Sequence, residues 1–321
     1  MKVLVSGAGG FLGRATVNSL LKRGHTVRAI VRPSSLVPAW PEGVEIFRAD
    51  LRVEKDFAPA FEGVDAVLHL AAAVTGTEDT QFASTVVATE RFLGAMAKSA
   101  VKRLVHVSSL VVYNWSKAGP CLDEKTPLET TPYAMGGYTI AKIWQERVVS
   151  RLAAENSWNL TIVRPGFIWG VDHAEIAGMG RKFGKFYLMF GPFTRLPLSH
   201  VENCADCLAA AVESPAASGE IFNVVDSDDV RVWQYAREYA RRSGQPGILL
   251  PLPYFAGLGL AQLAAITSRA LFGSKGKLPS LLTPRRFESQ FKPVRFSNEK
   301  VKTALNWTPP FGFKQCLDRS F

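Results

Sequence analysis

The sequence predicts an α/β fold, a doubly wound parallel sheet with helices on both faces and a smaller, mainly helical lobe toward the C-terminus. Short runs rich in β-branched apolar residues alternate with helix-period segments through the first half of the chain. Such continuous apolar runs are typical of strands that are buried on both faces. The pattern loosens after Gly170, and from Trp233 onward the strict alternation stops.

The elements follow in order. Strands are predicted at Lys2–Ser6, Thr26–Val31, Val44–Arg48, Ala66–Leu70, Arg103–Ser108, Leu160–Arg164 and Glu220–Val225. Helices are predicted at Phe11–Arg23, Val53–Phe61, Gln81–Ala100, Gly137–Asn156 and Val201–Val212. We expect residues 1–170, with 197–226 returning, to form one domain. Residues 171–196 and 227–321 would form the lobe over the carboxyl edge of the sheet, where open α/β folds bind ligands.

Composition narrows the class of protein. The 321 residues are 47% hydrophobic and 21% charged, which excludes a disordered chain, a collagen-like repeat or a coiled-coil rod. The net charge of +10 predicts an anionic partner, such as nucleotide phosphates or an acidic membrane surface. Nucleic-acid binding is not expected, because no reading module or basic-aromatic repeat is present. The apolar run at the N-terminus is too short for a secretory signal, so a cytoplasmic location is expected.

The four cysteines are too few for a disulfide framework in a chain of this length. Cys204 and Cys207 have the spacing of a metal or redox pair. No second pair completes four ligands, and the surrounding segment has a helical pattern. We therefore expect both thiols to pack in the protein interior, and we predict no metal site.

A glycine-rich turn joins the first strand to the first helix. Gly7, Gly10 and Gly13 lie in this turn. A pyrophosphate needs a tight turn, a backbone without Cβ atoms at its closest approach, and the free N–H groups of a helix N-terminus. The sequence therefore predicts nucleotide binding here, although the spacing differs from the common dinucleotide fingerprint.

The end of the second strand indicates which nucleotide is bound. An acidic residue there would accept hydrogen bonds from the ribose 2′-OH of NAD, but this strand ends in Arg32. A guanidinium group instead pairs with the 2′-phosphate of NADP. NADP is therefore the predicted cofactor, ahead of NAD. Asp50, at the end of the third strand, is placed to bind the adenine edge.

Tyr138 and Lys142 lie four residues apart in a predicted helix, so they share one face. A cation about 4 Å from a phenol contributes on the order of 4 kcal/mol at an effective dielectric constant of 20. That is enough to pull the phenol's pKa toward neutrality. Such a tyrosine can exchange the proton of an alcohol while a nicotinamide moves the hydride.

These residues and several other motifs together resemble the extended short-chain dehydrogenase/reductases, grouped with the NAD-dependent epimerase/dehydratase proteins. The resemblance covers nearly the whole chain and implies a Rossmann-type fold. It rests on Ser6-Gly7-x-x-Gly10-Phe11-x-Gly13, Asp50-Leu51, His69-Leu70-Ala71-Ala72, Ser108-Ser109-x-x-x-Tyr113, Tyr138-x-x-x-Lys142, Arg164-Pro165-Gly166-Phe167-Ile168-Trp169-Gly170, Val201-Glu202-Asn203 and Asn306-Trp307-x-Pro309.

Carried over to this sequence, the resemblance implies that Tyr138 is the general acid/base, Lys142 tunes it and binds the nicotinamide ribose, and Ser109 holds the substrate oxygen. A homodimer is also expected. The expected cofactor-binding residues are Gly7, Gly10, Phe11, Leu12, Gly13, Arg32, Asp50, Leu51, Leu70, Ala71, Ala72, Tyr138, Lys142, Pro165 and Phe167. The expected substrate-binding residues are Tyr113, Ile168, Arg195 and His200.

Two departures from the family pattern narrow the chemistry. Dehydratases of the family usually follow the Ser109 position with Asp-Glu, whereas this chain has Leu110-Val111, so dehydration is not expected. Many nucleotide-sugar enzymes carry an arginine shortly before the position of Val201 to hold the diphosphate, and this chain has Leu196–His200 there. This weakens the expectation of a nucleotide-sugar substrate without excluding it.

An apolar stretch lies near the C-terminal end. No charged residue occurs from Ser243 to Ser268, but prolines leave only Tyr254–Ser268 as an uncharged helix, too short to cross a bilayer. Residues 269–302 then carry nine lysines and arginines. The stretch either packs within the protein or its dimer, or touches an acidic membrane surface through residues 254–286. It also resembles the apolar segment of proteins like 3β-hydroxysteroid dehydrogenase.

The expected function is therefore hydride transfer at a secondary alcohol or ketone carbon by an NAD(P)-dependent oxidoreductase. Its small-molecule substrate stays open between two classes. One is a nucleotide sugar, acted on by a reductase or epimerase. The other is an apolar alcohol or ketone, as for enzymes like 3β-hydroxysteroid dehydrogenase or dihydroflavonol reductase. A cofactor-binding regulator without catalytic activity is the third alternative, which the intact Ser109, Tyr138 and Lys142 disfavour.

Overall fold

A computed structural model of the protein describes residues 1–244, 248–273, 278 and 282–321. Its strands are β1 (Lys2–Ser6), β2 (Thr26–Val31), β3 (Val44–Arg48), β4 (Ala66–His69), β5 (Arg103–Val107), β6 (Cys121–Leu122), β7 (Asn159–Pro165), β8 (Phe167–Trp169), β9 (Gly180–Phe183), β10 (Phe186–Phe190), β11 (Leu198–His200), β12 (Ile221–Val224), β13 (Ile248–Leu252) and β14 (Arg295–Phe296). Its α-helices are α1 (Phe11–Lys22), α2 (Glu78–Phe82), α3 (Ala88–Met96), α4 (Gly137–Glu155), α5 (Val201–Glu213), α6 (Val232–Ser243), α7 (Tyr254–Phe272), α8 (Pro284–Phe291), α9 (Glu299–Leu305) and α10 (Phe313–Ser320).

Within the described residues the central sheet has seven parallel strands in the order β12-β7-β5-β4-β1-β2-β3. The order reverses direction between β1 and β4, and the carboxyl ends of these two strands meet where Ser6 pairs with His69. Ligands of open α/β sheets bind at such a switch point. The fold is a Rossmann-type doubly wound α/β fold, as the sequence predicts.

Two apolar cores lie on opposite faces of this sheet. On one face, Val17 and Leu20 of α1 pack with Leu208 and Val212 of α5. On the other face, α3 and α4 bury side chains that include Phe92 and Val149. Because both faces are covered, the strands between them are mainly apolar, and the polar residues within them, such as Arg28 of β2 and Arg164 of β7, are buried.

The helix predicted at Val53–Phe61 is wrong. The structure has a single 3₁₀ turn there, at Ala58–Phe61. Pro59 supplies no N–H group for a continuous helix, and the Asp56 carboxylate accepts a hydrogen bond from the Ala58 N–H at 2.9 Å. The predicted helix Gln81–Ala100 begins earlier, as α2, and continues through a π-helical segment at Ala83–Val87 into α3.

The lobe is less helical than expected. Residues 180–252 contribute a mixed sheet in which β10 pairs with β9 in antiparallel and with β13 in parallel orientation. Tyr187 and Met189 of β10 point into a core that also contains Tyr235 of α6. On the other face of the strand, Phe190 packs against Phe287 of α8.

The last part of the chain is shared between the two cores. Trp307 lies in the core beneath α1 and α5, whereas Leu317 lies in the core of the lobe. Asn203 of α5 exchanges two hydrogen bonds with the backbone of Phe311, at 2.9 and 3.0 Å. The domain boundaries stay a prediction, but these contacts attach part of the segment 227–321 to the parallel sheet.

Cys204 and Cys207 are buried free thiols in the core between α5 and the sheet. This confirms the prediction that both thiols pack in the protein interior. Burial raises the pKa of both thiols. In the described part of the chain, no helix has the length and apolar content required to traverse a bilayer.

Candidate active site

The glycine-rich turn leaves no room for side chains. Gly7 has a φ of +72°, and a Cβ atom there would lie 2.9 Å from the backbone nitrogen of Ala71. A Cβ atom on Gly13 would lie 2.1 Å from the Gly7 carbonyl oxygen. The turn closes with a hydrogen bond of 3.0 Å from the Gly10 N–H to the same oxygen, and α1 begins immediately afterwards. Backbone N–H groups of this helix N-terminus therefore lie beside a surface of bare backbone.

Other predicted cofactor residues border the same edge. Leu70, Ala71 and Ala72 follow β4 and are half-buried, and the Leu70 N–H donates to the Ser6 carbonyl oxygen. Pro165 ends β7, and the Phe167 N–H donates to the Pro197 carbonyl oxygen at 2.7 Å. The structure thus brings three predicted cofactor segments to the carboxyl edge of the sheet.

Arg32 is exposed at the carboxyl end of β2. The turn that follows is held by Arg48, whose guanidinium donates to the carbonyl oxygens of Arg32 and Ser35 at 3.1 and 2.7 Å. Asp50 is paired with Arg52, and this hydrogen bond, together with a smaller contribution from the charge of Arg32, lowers the pKa of its carboxyl group. A cationic surface therefore surrounds the end of β2.

Ser109 and Tyr138 come together from different elements. Ser109 follows β5, and its side-chain oxygen accepts a hydrogen bond from the Val111 N–H at 3.3 Å. Tyr138 lies in the first turn of α4, and its hydroxyl is hydrogen-bonded to Ser109. Burial raises the pKa of Tyr138, and the hydrogen bond with Ser109 only partly opposes that increase.

Lys142 follows one helical turn later and is 2% exposed. Its Nζ atom donates to the Val107 carbonyl oxygen at 2.7 Å and to Gln145 Oε1 at 2.6 Å. Burial lowers the pKa of Lys142 to about 7. The expectation that Lys142 pulls the pKa of Tyr138 toward neutrality is wrong for this structure, because burial outweighs other effects on the phenol and the lysine amine is bonded elsewhere.

Comparison with known proteins decides the family. Residues 3–225 match the sequence profile of the NAD dependent epimerase/dehydratase family. The chain belongs to this family. It is therefore an enzyme of the NAD-dependent oxidoreductase and epimerase type.

Relatives match along almost the entire chain. A 3 beta-hydroxysteroid dehydrogenase/Delta 5-->4-isomerase of Mycobacterium tuberculosis is 30% identical, over 98% of this chain and 88% of its own length. A 4-hydroxy-2-methyl-3-oxo-4-farnesyl-3,4-dihydroquinoline-1-oxide ketoreductase of Stigmatella aurantiaca is 28% identical, over 99% and 95%. The structure of UDP-glucuronic acid 4-epimerase from Bacillus cereus in complex with NAD superimposes with a TM-score of 0.74 at 17% identity, over 100% and 97%. This last likeness concerns the fold.

The described residues fit the dinucleotide cofactor of this family. Gly7 and Gly13 form a cradle that a Cβ atom would fill. The first turn of α1 supplies N–H groups for the pyrophosphate. The edge formed by Leu70–Ala72 and by Pro165–Phe167 would then hold the nicotinamide end.

Sequence reasoning missed Gln145, which positions Lys142. The Gln145 side-chain oxygen accepts from Lys142. The Gln145 side-chain nitrogen donates to the Ala71 carbonyl oxygen and to Thr89 Oγ1, both at 2.9 Å. Gln145 thereby connects the lysine to the loop that borders the cofactor cradle. A signal was present, because a residue three positions after Lys142 lies on the same helix face.

His69, the first residue of the family motif at the end of β4, makes buried hydrogen bonds that the sequence does not predict. Its ring bridges Ser6 Oγ at 2.6 Å and Thr89 Oγ1 at 2.8 Å. Burial, with a smaller effect from Lys142, lowers the pKa of His69 to about 3, so the ring is neutral. Ser6, His69, Thr89 and Gln145 therefore form an uncharged hydrogen-bonded chain beneath the site.

Tyr113 does not face a substrate. It is fully buried, and its hydroxyl donates to Asn223 Oδ1 at 2.7 Å while accepting from Arg164 at 2.8 Å. Arg164 also forms a buried ion pair with Glu146 of α4. The predicted role of Tyr113 is thus corrected, because its polar group is already bonded within the protein.

The other predicted substrate residues lie in different surroundings. Arg195 forms an ion pair with Asp229. His200 is buried, with its Nε2 atom 3.2 Å from Ser320 Oγ, so the structure contradicts direct substrate contact by this ring. Ile168, in β8, is half-buried next to the Pro165–Phe167 segment and stays a candidate.

Proposed function

We propose that the protein catalyses net hydride transfer between NADP(H) and a secondary alcohol or ketone, with Tyr138 as the proton donor or acceptor. The observation that carries this proposal is the hydrogen bond between Ser109 and Tyr138 beside Lys142, at the sheet edge that also holds the glycine cradle. A bound NADPH supplies the hydride.

The protonation state of Tyr138 favours the direction of ketone reduction. Because burial raises its pKa, the phenol is protonated at neutral pH. It can donate that proton to the oxygen of a bound ketone as negative charge develops there. Ser109 Oγ accepts a bond from a backbone N–H, and its hydroxyl proton, which is shared with Tyr138, can turn to stabilise the same oxygen once a ketone is bound. Lys142, held by Gln145, adds positive charge nearby when protonated.

The proposed preference for NADP rests on Arg32. A guanidinium beside a 2′-phosphate contributes about 1.5–3 kcal/mol, equivalent to about tenfold or more in affinity. Isothermal titration calorimetry should therefore show tighter binding of NADPH than of NADH. Arg32→Asp should remove the difference, whereas Arg237→Asp, the same charge change at an exposed position of α6, should preserve it. Equal affinities in the unmodified protein would contradict the role of Arg32.

An apolar substrate is the better supported class. The two relatives cited above are named for a steroid and for a farnesylated quinoline oxide, and each matches at least 98% of this chain. Arg195, the predicted cationic substrate ligand, is engaged by Asp229. We therefore propose an apolar secondary alcohol or ketone, with a nucleotide sugar as the alternative.

The test compares both substrate classes in one assay. With a 3β-hydroxysteroid and NADP⁺, or the corresponding ketone and NADPH, the absorbance of NADPH should change by about one equivalent per product. Tyr138→Phe should abolish turnover while preserving cofactor affinity, and Tyr133→Phe, at an exposed tyrosine nearby, should have little effect. Isomerisation of UDP-glucose without an absorbance change would instead assign the protein to the epimerases.

A further inference from the structure

One side of helix α7 exposes a stripe of large apolar side chains. Phe255 is 77% exposed, Leu263 61%, Ile266 67% and Leu271 70%. Phe255, Leu263 and Ile266 are spaced by eight and three residues and therefore lie on one side of the helix, and Leu271 lies further round its exposed half. The opposite side of α7 is already used, because Tyr254 and Ala261 pack against the aromatic rings of α8 and β10.

The apolar surface continues onto the neighbouring sheet. Phe186 of β10 pairs in register with Ile248 of β13, and both side chains are exposed. Alternation along the two strands places them on the face that carries Phe190 and Leu252, which pack with α7. Phe183, opposite Phe186 on β9, is 57% exposed. We call the exposed stripe of α7 together with Phe183, Phe186 and Ile248 the apolar face.

The elements that form the apolar face carry only positive charge: α7, β9, β10, β13 and the β9–β10 turn contain no Asp or Glu. Arg269 in the last turn of α7 and Lys185 in the β9–β10 hairpin are exposed. The sequence carries no Asp or Glu between Glu175 and Glu202, nor from Ser243 to Phe287. The nearby acidic residue Glu288 belongs to α8 and acts on Tyr254, on the packed side of α7. Exposed apolar side chains on elements that carry only cations match the surface of a membrane that contains anionic lipids.

We propose that the apolar face docks on an anionic membrane surface, with α7 lying in the plane of the interface. Crossing is not involved, since the stripe covers one side of the helix and the other side is packed. A second copy of the chain is a poorer occupant, because it would bring two faces whose elements carry only cations against each other. The inference does not depend on which reaction the enzyme catalyses.

Docking would take place close to the catalytic residues. Helix α8, which packs on α7, carries Arg286, and this residue donates to the Met135 carbonyl oxygen. Met135 lies three residues before Tyr138. A membrane-bound enzyme would therefore keep this side of the active site near the lipid phase, where an apolar substrate is concentrated.

Cosedimentation with vesicles tests the proposal. The full-length protein should bind vesicles of phosphatidylglycerol and phosphatidylcholine, more weakly at high salt, and bind phosphatidylcholine alone poorly. Ile266→Glu removes an apolar side chain that the bilayer would bury and adds a negative charge, so it should weaken vesicle binding by about tenfold or more. Arg269→Glu should weaken it as well. Val53→Glu places the same new charge at an exposed valine far along the sequence and should bind normally.

Calorimetric binding of NADPH to each variant shows that it is folded. Failure of the unmodified protein to bind anionic vesicles would overturn the proposal, as would equal binding by Ile266→Glu. A dimer that Ile266→Glu converts to a monomer would also overturn it and would assign the apolar face to a second copy. Vesicle binding that is intact in Tyr138→Phe would separate docking from the proposed reaction.

Discussion

The buried pair of Arg164 and Glu146 allows a quantitative prediction that needs no knowledge of the substrate. Arg164 of β7 is 2% exposed and Glu146 of α4 is 7% exposed at their side chains. The guanidinium also donates to the Tyr113 hydroxyl at 2.8 Å and lies 4.7 Å from the centre of its ring. Removing either Arg164 or Glu146 leaves the charge of the remaining residue buried without its ion-pair partner.

Glu146→Leu and Arg164→Met should therefore each lower the free energy of unfolding by about 3–5 kcal/mol, a large fraction of the roughly 5–15 kcal/mol that stabilises an ordinary protein. The double variant replaces both charges by apolar side chains and leaves Tyr113 bonded to Asn223. It should be far less destabilised than the sum of about 6–10 kcal/mol, since no buried charge is left.

Urea denaturation followed by tryptophan fluorescence measures all three variants, because the chain contains seven tryptophans. The control is Glu155→Ala, whose pairing with Arg151 joins side chains that are 51% and 50% exposed. It should change the free energy of unfolding by about 0.5 kcal/mol or less. Additive losses in the double variant would refute the reasoning, because they would show that neither charge depends on the other.

Three further predictions concern the cofactor site. Burial lowers the pKa of Lys142 from 10.5 to about 7, so between about pH 7 and 10 the folded protein binds fewer protons than the unfolded chain. The free energy of unfolding should therefore rise over this pH range. Lys142→Met should show a smaller rise, and an equal rise would exclude Lys142 as the cause. Gly13→Ala should abolish NADPH binding in calorimetry, because its Cβ atom would lie 2.1 Å from a carbonyl oxygen. Gly9→Ala is the control and should still bind NADPH, since no atom lies within 4 Å of a Cβ atom there. NADPH binding by both variants would contradict the described turn. Gln145→Leu should raise the Kd for NADPH several-fold, by about 1 kcal/mol for a lost hydrogen bond, and an unchanged Kd would show that Val107 alone holds Lys142.

Much of this architecture could be predicted from local pattern. The strands at Lys2–Ser6, Thr26–Val31 and Val44–Arg48 match the prediction residue for residue, since each is a short run rich in β-branched apolar residues bounded by turn residues. The proximity of Ser109 and Tyr138 could also be expected. Ser109 follows the carboxyl end of β5, and Tyr138 lies in the first turn of α4, which begins at the same edge of the sheet. The helix prediction at Val53–Phe61 was wrong because side-chain hydrogen bonds to the backbone compete with helical hydrogen bonds there.

The environment of individual polar groups could not be predicted in the same way. Tyr113 is bonded to Asn223, which lies 110 residues away in sequence, and His200 is bonded to Ser320, 120 residues away. Both residues match positions that the family resemblance assigns to the substrate. Only the assembled fold shows that their polar atoms are already engaged and that Lys142 is bonded to Gln145.

The late position of Trp307 and Leu317 in the chain has a consequence for biosynthesis. Trp307 fills the core beneath α1 and α5, and its indole N–H donates to Asp206 at 2.9 Å, while Leu317 fills the core of the lobe. During translation, the ribosome adds residues 1–306 before Trp307, and Leu317 follows later still. Until both side chains are present, each core lacks one of its apolar members, and the nascent chain exposes apolar surface of the kind that favours aggregation.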